Sequence, residues 1–317
     1  MDNIEYRDAR TILCATDFCA AAVAATGRAA QIAQASHGKL ELMHVIPLHR
    51  TPVYRNSGWQ NDRDEFAAEA MARLRAMTQE TQAKFGVPVA AHLAFGVPHA
   101  KIAARADATG ARLVVVGSRG RRSLRGMFVG STAYELRRLL RAPLLIARNR
   151  STRSYERALL AIDLSSASAA AAHAAADLFP DAALHFLYAC SPLFESRLAM
   201  ADASGEASHA YRNEALLIAG RDLDGFIRNN GLHRRRASSL VQRGYPPACI
   251  RQAAAELGAS VVAFGTKRKS RLATLIASVG AEFLRGSCQD VLFVKAPQSL
   301  PHRPSCDYHW QRATAFT

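Results

Sequence analysis

The chain has 317 residues, 49% of them hydrophobic, enough for two domains of roughly 150 residues with a packed core each. No apolar run reaches the roughly 20 residues that cross a bilayer, and the opening MDNIEYRDARTILCATD lacks a signal peptide's basic start and apolar stretch. A soluble, cytoplasmic protein without membrane partners is expected; the net charge of +15 raises nucleic acid as a partner, and six cysteines with no CxxC pair argue against a disulfide framework or a zinc site.

Strand and helix patterns alternate along the chain. Thr11 to Thr16 reads as a short strand ending at Asp17, followed by an alanine-rich helix over 20–36. Leu40 to Ile46 is a second strand, stopped by Pro47, and a long helix runs from about 62 to 85. Val87 to Ala94 is the third strand, and Pro98 opens the next helix. Leu113 to Gly117 is the fourth strand, a helix starts at Ser131, and Pro143 to Ala147 makes the fifth. Such alternation implies parallel strands with crossover helices, hence a doubly wound α/β sheet.

The pattern is then written again. Ala158 to Asp163, Ala183 to Ala189, Ala237 to Gln242, Ser260 to Gly265 and Asp290 to Val294 repeat the five strands in order. The offset from Asp17 to Asp163 is 146 residues and that from Gly117 to Gly265 is 148, so a duplication is expected. The reading divides the chain into residues 1–150, 151–296 and a tail at 297–317.

One segment carries the chemistry. GSRGRRSLRGMFVGST at 117–132 spaces Gly117, Gly120 and Gly130 as Gly-x2-Gly-x9-Gly, with Ser131 and Thr132 following. It sits between a buried strand and a helix start. There, backbone N–H groups can approach an anion with no Cβ between them, and the helix dipole favours negative charge. Asp17, at a neighbouring strand end, could accept from a ribose hydroxyl, hold a magnesium ion, or cap the following helix. The densest basic cluster, Arg119, Arg121, Arg122 and Arg125, lies inside the same segment. It suits a polyphosphate as well as a nucleic-acid backbone, and no recognition helix, RNP-like strand or zinc finger accompanies it.

On ILCATDF at 12–18, LMHVIP at 42–47 and VVVGSRGRRSLRGMFVGST at 114–132, the chain resembles the universal stress protein family in its tandem form. The resemblance implies two adenine nucleotide alpha hydrolase-like sheets of five parallel strands, ordered 3-2-1-4-5. It further implies ATP as the ligand, with Mg2+ as an optional companion. By resemblance, Asp17 contacts the ribose, the backbone at Val45 the adenine, and Ala15 and Thr16 floor the pocket. Gly117 and Gly120 line the ribose and phosphates, and Gly130, Ser131 and Thr132 donate to the phosphates.

Two departures matter. Cys19 stands where the family has serine, which weakens capping of the first helix because a thiol is a poor donor. In the second repeat, GTKRKSRLATLIASVG at 265–280, Arg268 replaces the second glycine and Ser278-Val279 replace Gly-Ser, so that repeat is expected empty. There is no Gly-x4-Gly-Lys-Ser/Thr loop, no Ser-Gly-Gly-x-Asp-Ser loop, and no nucleophile with a base; His44 and His99 stand singly. The expectation is therefore a nucleotide-dependent stress-response or signalling module rather than an enzyme, with no machinery for fast turnover. Its partners would be ATP, an unidentified protein, and either a second copy or the other repeat. The alternatives are a scaffold of the same fold that binds no nucleotide and, less favoured, a nucleic-acid binder.

Overall fold

Runs of five to eight residues rich in Val, Leu, Ile and Ala are too short for helices and, buried on both faces, settle as strands of a covered sheet. The computed structural model describes residues 10–47, 59–118, 130–148, 154–190, 205–232, 236–266 and 273–296. Its first elements are β1 (Thr11–Ala15), α1 (Ala20–Ala35), β2 (Lys39–Ile46), α2 (Trp59–Phe85), β3 (Val89–Phe95), α3 (Pro98–Thr109), β4 (Leu113–Gly117), α4 (Ser131–Leu139) and β5 (Leu144–Ala147). The series then repeats as β6 (Arg157–Ile162), α5 (Ser166–Leu178), β7 (Ala183–Cys190), α6 (Gly205–Asn229), β8 (Ala237–Arg243), α7 (Pro246–Glu256), β9 (Val261–Thr266), α8 (Ala273–Gly286) and β10 (Asp290–Lys295). The third strand starts at Val89 rather than Val87 because Pro88 has no N–H to give the ladder; its carbonyl instead accepts from Leu40.

The chain gathers into two units. The first joins residues up to Tyr155 with Asp177–Asp181 and Leu284–Phe293; the second joins Glu156–Ala176, Ala182–Phe283 and the residues from Val294 onward.

In the first unit the strands run parallel in the order β3-β2-β1-β4-β5, with Ile12 opposite both Leu40 and Leu113. Beyond β5 the start of β10 pairs antiparallel, placing Val291 opposite Ile146 and Phe293 opposite Leu144. Leu13, Cys14, Val114, Val115 and Leu145 are wholly buried at its centre. Helix α1 lies close on the sheet because the side chains it presents there, Ala25, Ala29 and Ala33, are small and fully covered.

The second unit runs β8-β7-β6-β9, all parallel, with Ala158 opposite Leu184 and Val261. The end of β10 lies beside β9, where Thr266 Oγ1 donates to the Val294 carbonyl at 3.2 Å. The expected order 3-2-1-4-5 is thus present in both repeats. Among the described residues no helix is long and apolar enough to cross a membrane.

Candidate functional site

The chain leaves β1 to build β2 and β3 on one side, then returns to lay β4 on the other. The strand order therefore reverses between β1 and β4, and in a doubly wound sheet the carboxyl ends at that reversal frame a crevice. Ala15 pairs with Val116, so the segments leaving β1 and β4 start side by side.

Ala15 is the last residue of β1 and is half-buried; Thr16 is buried just beyond it. The Thr16 N–H donates to the Met43 carbonyl at 2.9 Å, and its hydroxyl oxygen accepts from Phe18 N–H at 3.1 Å. Asp17 follows, half-buried, with Oδ1 accepting from Cys19 N–H at 3.1 Å. Cys19 is the residue before helix α1 and gives it no side-chain cap, so the carboxylate two residues earlier helps to turn the chain into the helix. Burial, and then the neighbouring Asp17 carboxylate, push the Cys19 thiol above its ordinary pKa.

Phe18 takes the left-handed backbone conformation, φ 63°, and Leu164 does the same in the second repeat at φ 59°. The sharp turn out of the first strand thus recurs with the fold. In the first repeat the Phe18 ring lies 4.5 Å from that of His44, and the Arg73 guanidinium sits 4.8 Å from its centre. His44 Nδ1 is 2.7 Å from the Thr16 carbonyl; a carbonyl only accepts, so Nδ1 carries the proton. This histidine positions the end of β1, a role its place in the sequence did not announce.

Val45 is buried in β2. Met43's carbonyl faces β1, whereas Ile46's accepts from Gly96 N–H on the β3 side. Alternate residues of a strand share a direction, so Val45 turns its backbone groups toward β1, past the point where β1 has ended.

The other wall comes from β4 and α4. A Cβ on Gly117 would stand 3.0 Å from the backbone C and O of Ala21, so glycine is needed there for close packing against α1. At Gly265 the same Cβ would meet Ala167 at 2.3 Å. The first glycine of the segment therefore has a packing reason common to both repeats, which explains why the degenerate copy keeps it.

Gly120, Arg119, Arg121, Arg122 and Arg125 lie outside the described residues, as does Arg268 in the second repeat. The described residues on either side of the first repeat's segment meet: Gly130 N–H donates to the Ser118 carbonyl at 3.1 Å. Gly130 is the residue before α4, Ser131 is exposed on its first turn and Thr132 is half-buried. Among the described residues that turn has no acidic residue and no side-chain cap, and its positive dipole end is of the kind that attracts an anion. Ser118, whose carbonyl accepts from Gly130, was not singled out in the sequence because its contribution is entirely backbone.

The second repeat differs at the matching place. Asp163 Oδ1 accepts from Ser165 N–H at 3.1 Å, from the Ser165 hydroxyl at 2.5 Å, and from the Ser168 hydroxyl. Val279 on α8 is half-buried where the first repeat has Ser131. Among the described residues no group of three His, Cys, Asp or Glu side chains could hold a metal ion. Asp17, Thr16, the Val45 backbone, Gly117 and the Gly130–Thr132 turn are thus placed around one end of one sheet.

A family model described as the Universal stress protein family matches residues 9–148 and, a second time, residues 154–295. Comparison with curated proteins gives no match. Among solved structures, a universal stress protein from Archaeoglobus fulgidus is similar over 92% of this chain and 100% of its own, at 16% identity and a TM-score of 0.67. A putative universal stress protein from Pseudomonas aeruginosa is similar over 91% of this chain and 94% of its own, at 20% identity and a TM-score of 0.59. At such identities the likeness concerns the fold alone.

Proposed function

Because the chain belongs to the universal stress protein family, as a tandem member, we propose that its first repeat holds one ATP and that occupancy alters a surface read by a partner protein in a stress response. The observation that carries this reading is the meeting of Gly130 N–H with the Ser118 carbonyl, at a helix start that has no acid or side-chain cap among the described residues and lies at the reversal point of the sheet. The residues fit the group. Asp17 would accept from the ribose, Val45 would offer backbone N–H and C=O to the adenine, and Ala15 and Thr16 would floor the pocket. Gly117, Gly120, Gly130, Ser131 and Thr132 would surround the phosphates, with Mg2+ as a companion to them. Bound ATP supplies a dense negative charge; the chain's own part is to orient it and to change shape around it.

The same reading makes residues 1–150 the nucleotide domain, 151–296 a structural and interaction domain, and 297–317 a tail. It places the protein in the cytoplasm, without enzymatic turnover. A purified sample, denatured and cleared, should release adenine nucleotide identifiable by chromatography. Calorimetry on nucleotide-free protein should then give one site per chain. No released nucleotide and no heat at millimolar ATP would sink the proposal.

A second reading is a scaffold that binds no nucleotide. It is favoured by Gly117 and Gly265 alike, since both glycines are explained by packing on the neighbouring helix. The calorimetric experiment separates the two.

A further inference from the structure

Strand β3 ends the sheet of the first unit: β2 lies on one side of it and, among the described residues, no strand lies on the other. The ladder shows which backbone groups are left over. Leu40 N–H donates to the Pro88 carbonyl and Gly96 N–H to the Ile46 carbonyl, so Ala90, His92 and Ala94 turn their N–H and C=O toward β2. Val89, Ala91 and Leu93, the alternate residues, turn theirs outward. A row of such groups is a template for one more strand.

Native proteins blunt an open edge with a charge, a proline, a bulge or a very short strand. β3 has none of these. VAAHLAF runs for 7 residues without Lys, Arg, Asp, Glu or Pro, and its register with β2 is unbroken from Val89 to Phe95. Strand β8 holds the equivalent edge in the second unit and is built otherwise. Its sequence ASSLVQR carries Ser238, Ser239, Gln242 and Arg243; Ser239 Oγ donates to Asp224 Oδ1 at 3.1 Å, and Arg243 is exposed. The apolar, uncharged edge belongs to the first repeat alone.

The chemistry of the edge selects its occupant. This sheet already takes an antiparallel strand at its other side, where β5 pairs with the start of β10. A strand without charged residues can lie against its own copy with no like charges opposed. A two-fold axis at Ala91 gives every outward group of Val89, Ala91 and Leu93 a counterpart: Ala91 faces Ala91 of the second copy, and Val89 faces its Leu93.

We infer that β3 is the seam of a homodimer, in which residues 89–93 of two copies pair antiparallel about a two-fold axis at Ala91 and join their first-repeat sheets. The inference rests on the sheet alone and holds whether or not the first repeat takes a nucleotide.

Sedimentation equilibrium on the full chain should give a dimer with a dissociation constant of about 1–100 μM. Monomer throughout that range overturns the inference. Open polymers overturn it too, because they would mean that β3 of one copy meets β8 of the next. Hydrogen exchange on the wild-type protein locates the seam. The Ala91 and Leu93 amides should exchange about tenfold or more slowly in the dimer than after dilution to monomer, while those of Ala90, His92 and Ala94, held by β2, change less. No change at Ala91 and Leu93 overturns the seam. Ala91→Pro removes an outward N–H and leaves the β2 ladder whole, since proline is tolerated where an edge N–H faces away from the sheet. It should weaken dimerisation about tenfold or more. An equally tight dimer would mean that the copies meet elsewhere. If the variant does not fold, exchange in the wild-type chain decides alone.

Discussion

In the interior of the first unit, Arg28 Nε lies 3.3 Å from Asp290 Oδ2, and the two side chains are 1% and 0% exposed. Tyr155 binds them together. Its hydroxyl donates to Asp290 Oδ2 at 2.5 Å, and its ring centre lies 4.1 Å from the guanidinium carbon. The remaining carboxylate oxygen accepts from Arg148 N–H at 2.6 Å. Burial, and then the charge of Asp290, hold the tyrosine far above its ordinary pKa, so it stays a donor. Desolvation offsets most of what such a pair gains, but removing one partner leaves the other charge buried. Asp290→Ala should therefore lower the unfolding free energy by about 3–5 kcal/mol in urea denaturation. A loss below about 1 kcal/mol would contradict this account of the pair.

Two glycines of the same motif should fail in different ways. Gly130→Val places a branched side chain where Gly130 N–H meets the Ser118 carbonyl and should abolish ATP binding in calorimetry. Gly265→Ala pushes a methyl into the backbone of Ala167 and should cost about 1–3 kcal/mol in thermal unfolding. Gly117→Ala, with 3.0 Å rather than 2.3 Å to its neighbour, should cost less stability than Gly265→Ala.

Asp163 Oδ1 accepts from Ser165 and Ser168 at the start of its own helix. Asp163→Ala should destabilise the protein by about 0.5–2 kcal/mol, the usual range for a lost cap, with ATP stoichiometry held at one per chain. Two nucleotides per wild-type chain would overturn the single-site assignment.

Alkaline pH should loosen the fold through Cys14. Burial pushes this thiol from its ordinary 9.0 up to about 12, with a contact to Thr26 acting weakly the other way. Its folded pKa lies above the unfolded value, so its contribution to stability is complete below pH 9 and is lost as pH rises from 9 toward about 12. Urea midpoints measured across that window should fall, and Cys14→Ala should flatten the slope. His92 and His185 act at the other end: burial first, with nearby Arg105 and Arg157 respectively, lowers both, so their contribution is lost as pH falls below about 6.5.

The sheet was readable in the sequence because most strands are short apolar runs and the runs come twice, the edge strand β8, ASSLVQR, being the exception. β4 falls where the hydrophobic pattern places it, whereas β1 stops at Ala15, one residue short of the reading, and β9 runs Val261–Thr266, one residue later than read, because threonines at these ends fit strand and turn alike. The candidate residues were readable as a list, through Asp17 and the glycine spacing. What they do to one another was not. The His44 bond to Thr16, the Ser118 bond to Gly130 and the pairing of Arg28 with Asp290 join residues far apart in the chain, two of them through backbone atoms that every residue has. Gly117 was read as a ligand contact, whereas its packing reason appears only once α1 is laid against β4.

The boundary that runs through β10 sets an order of events during synthesis. The first unit counts Asp290 and the strand residues up to Phe293 among its own parts, although both are made after nearly all of the second repeat. Until then β5 is an open edge, and Arg28 is a cation in a half-made interior with no anion to answer it. The nascent first repeat must therefore wait, incomplete, through the making of the second. A chain cut short before residue 290 would lack not a distal domain but the last strand and the counter-charge of its first.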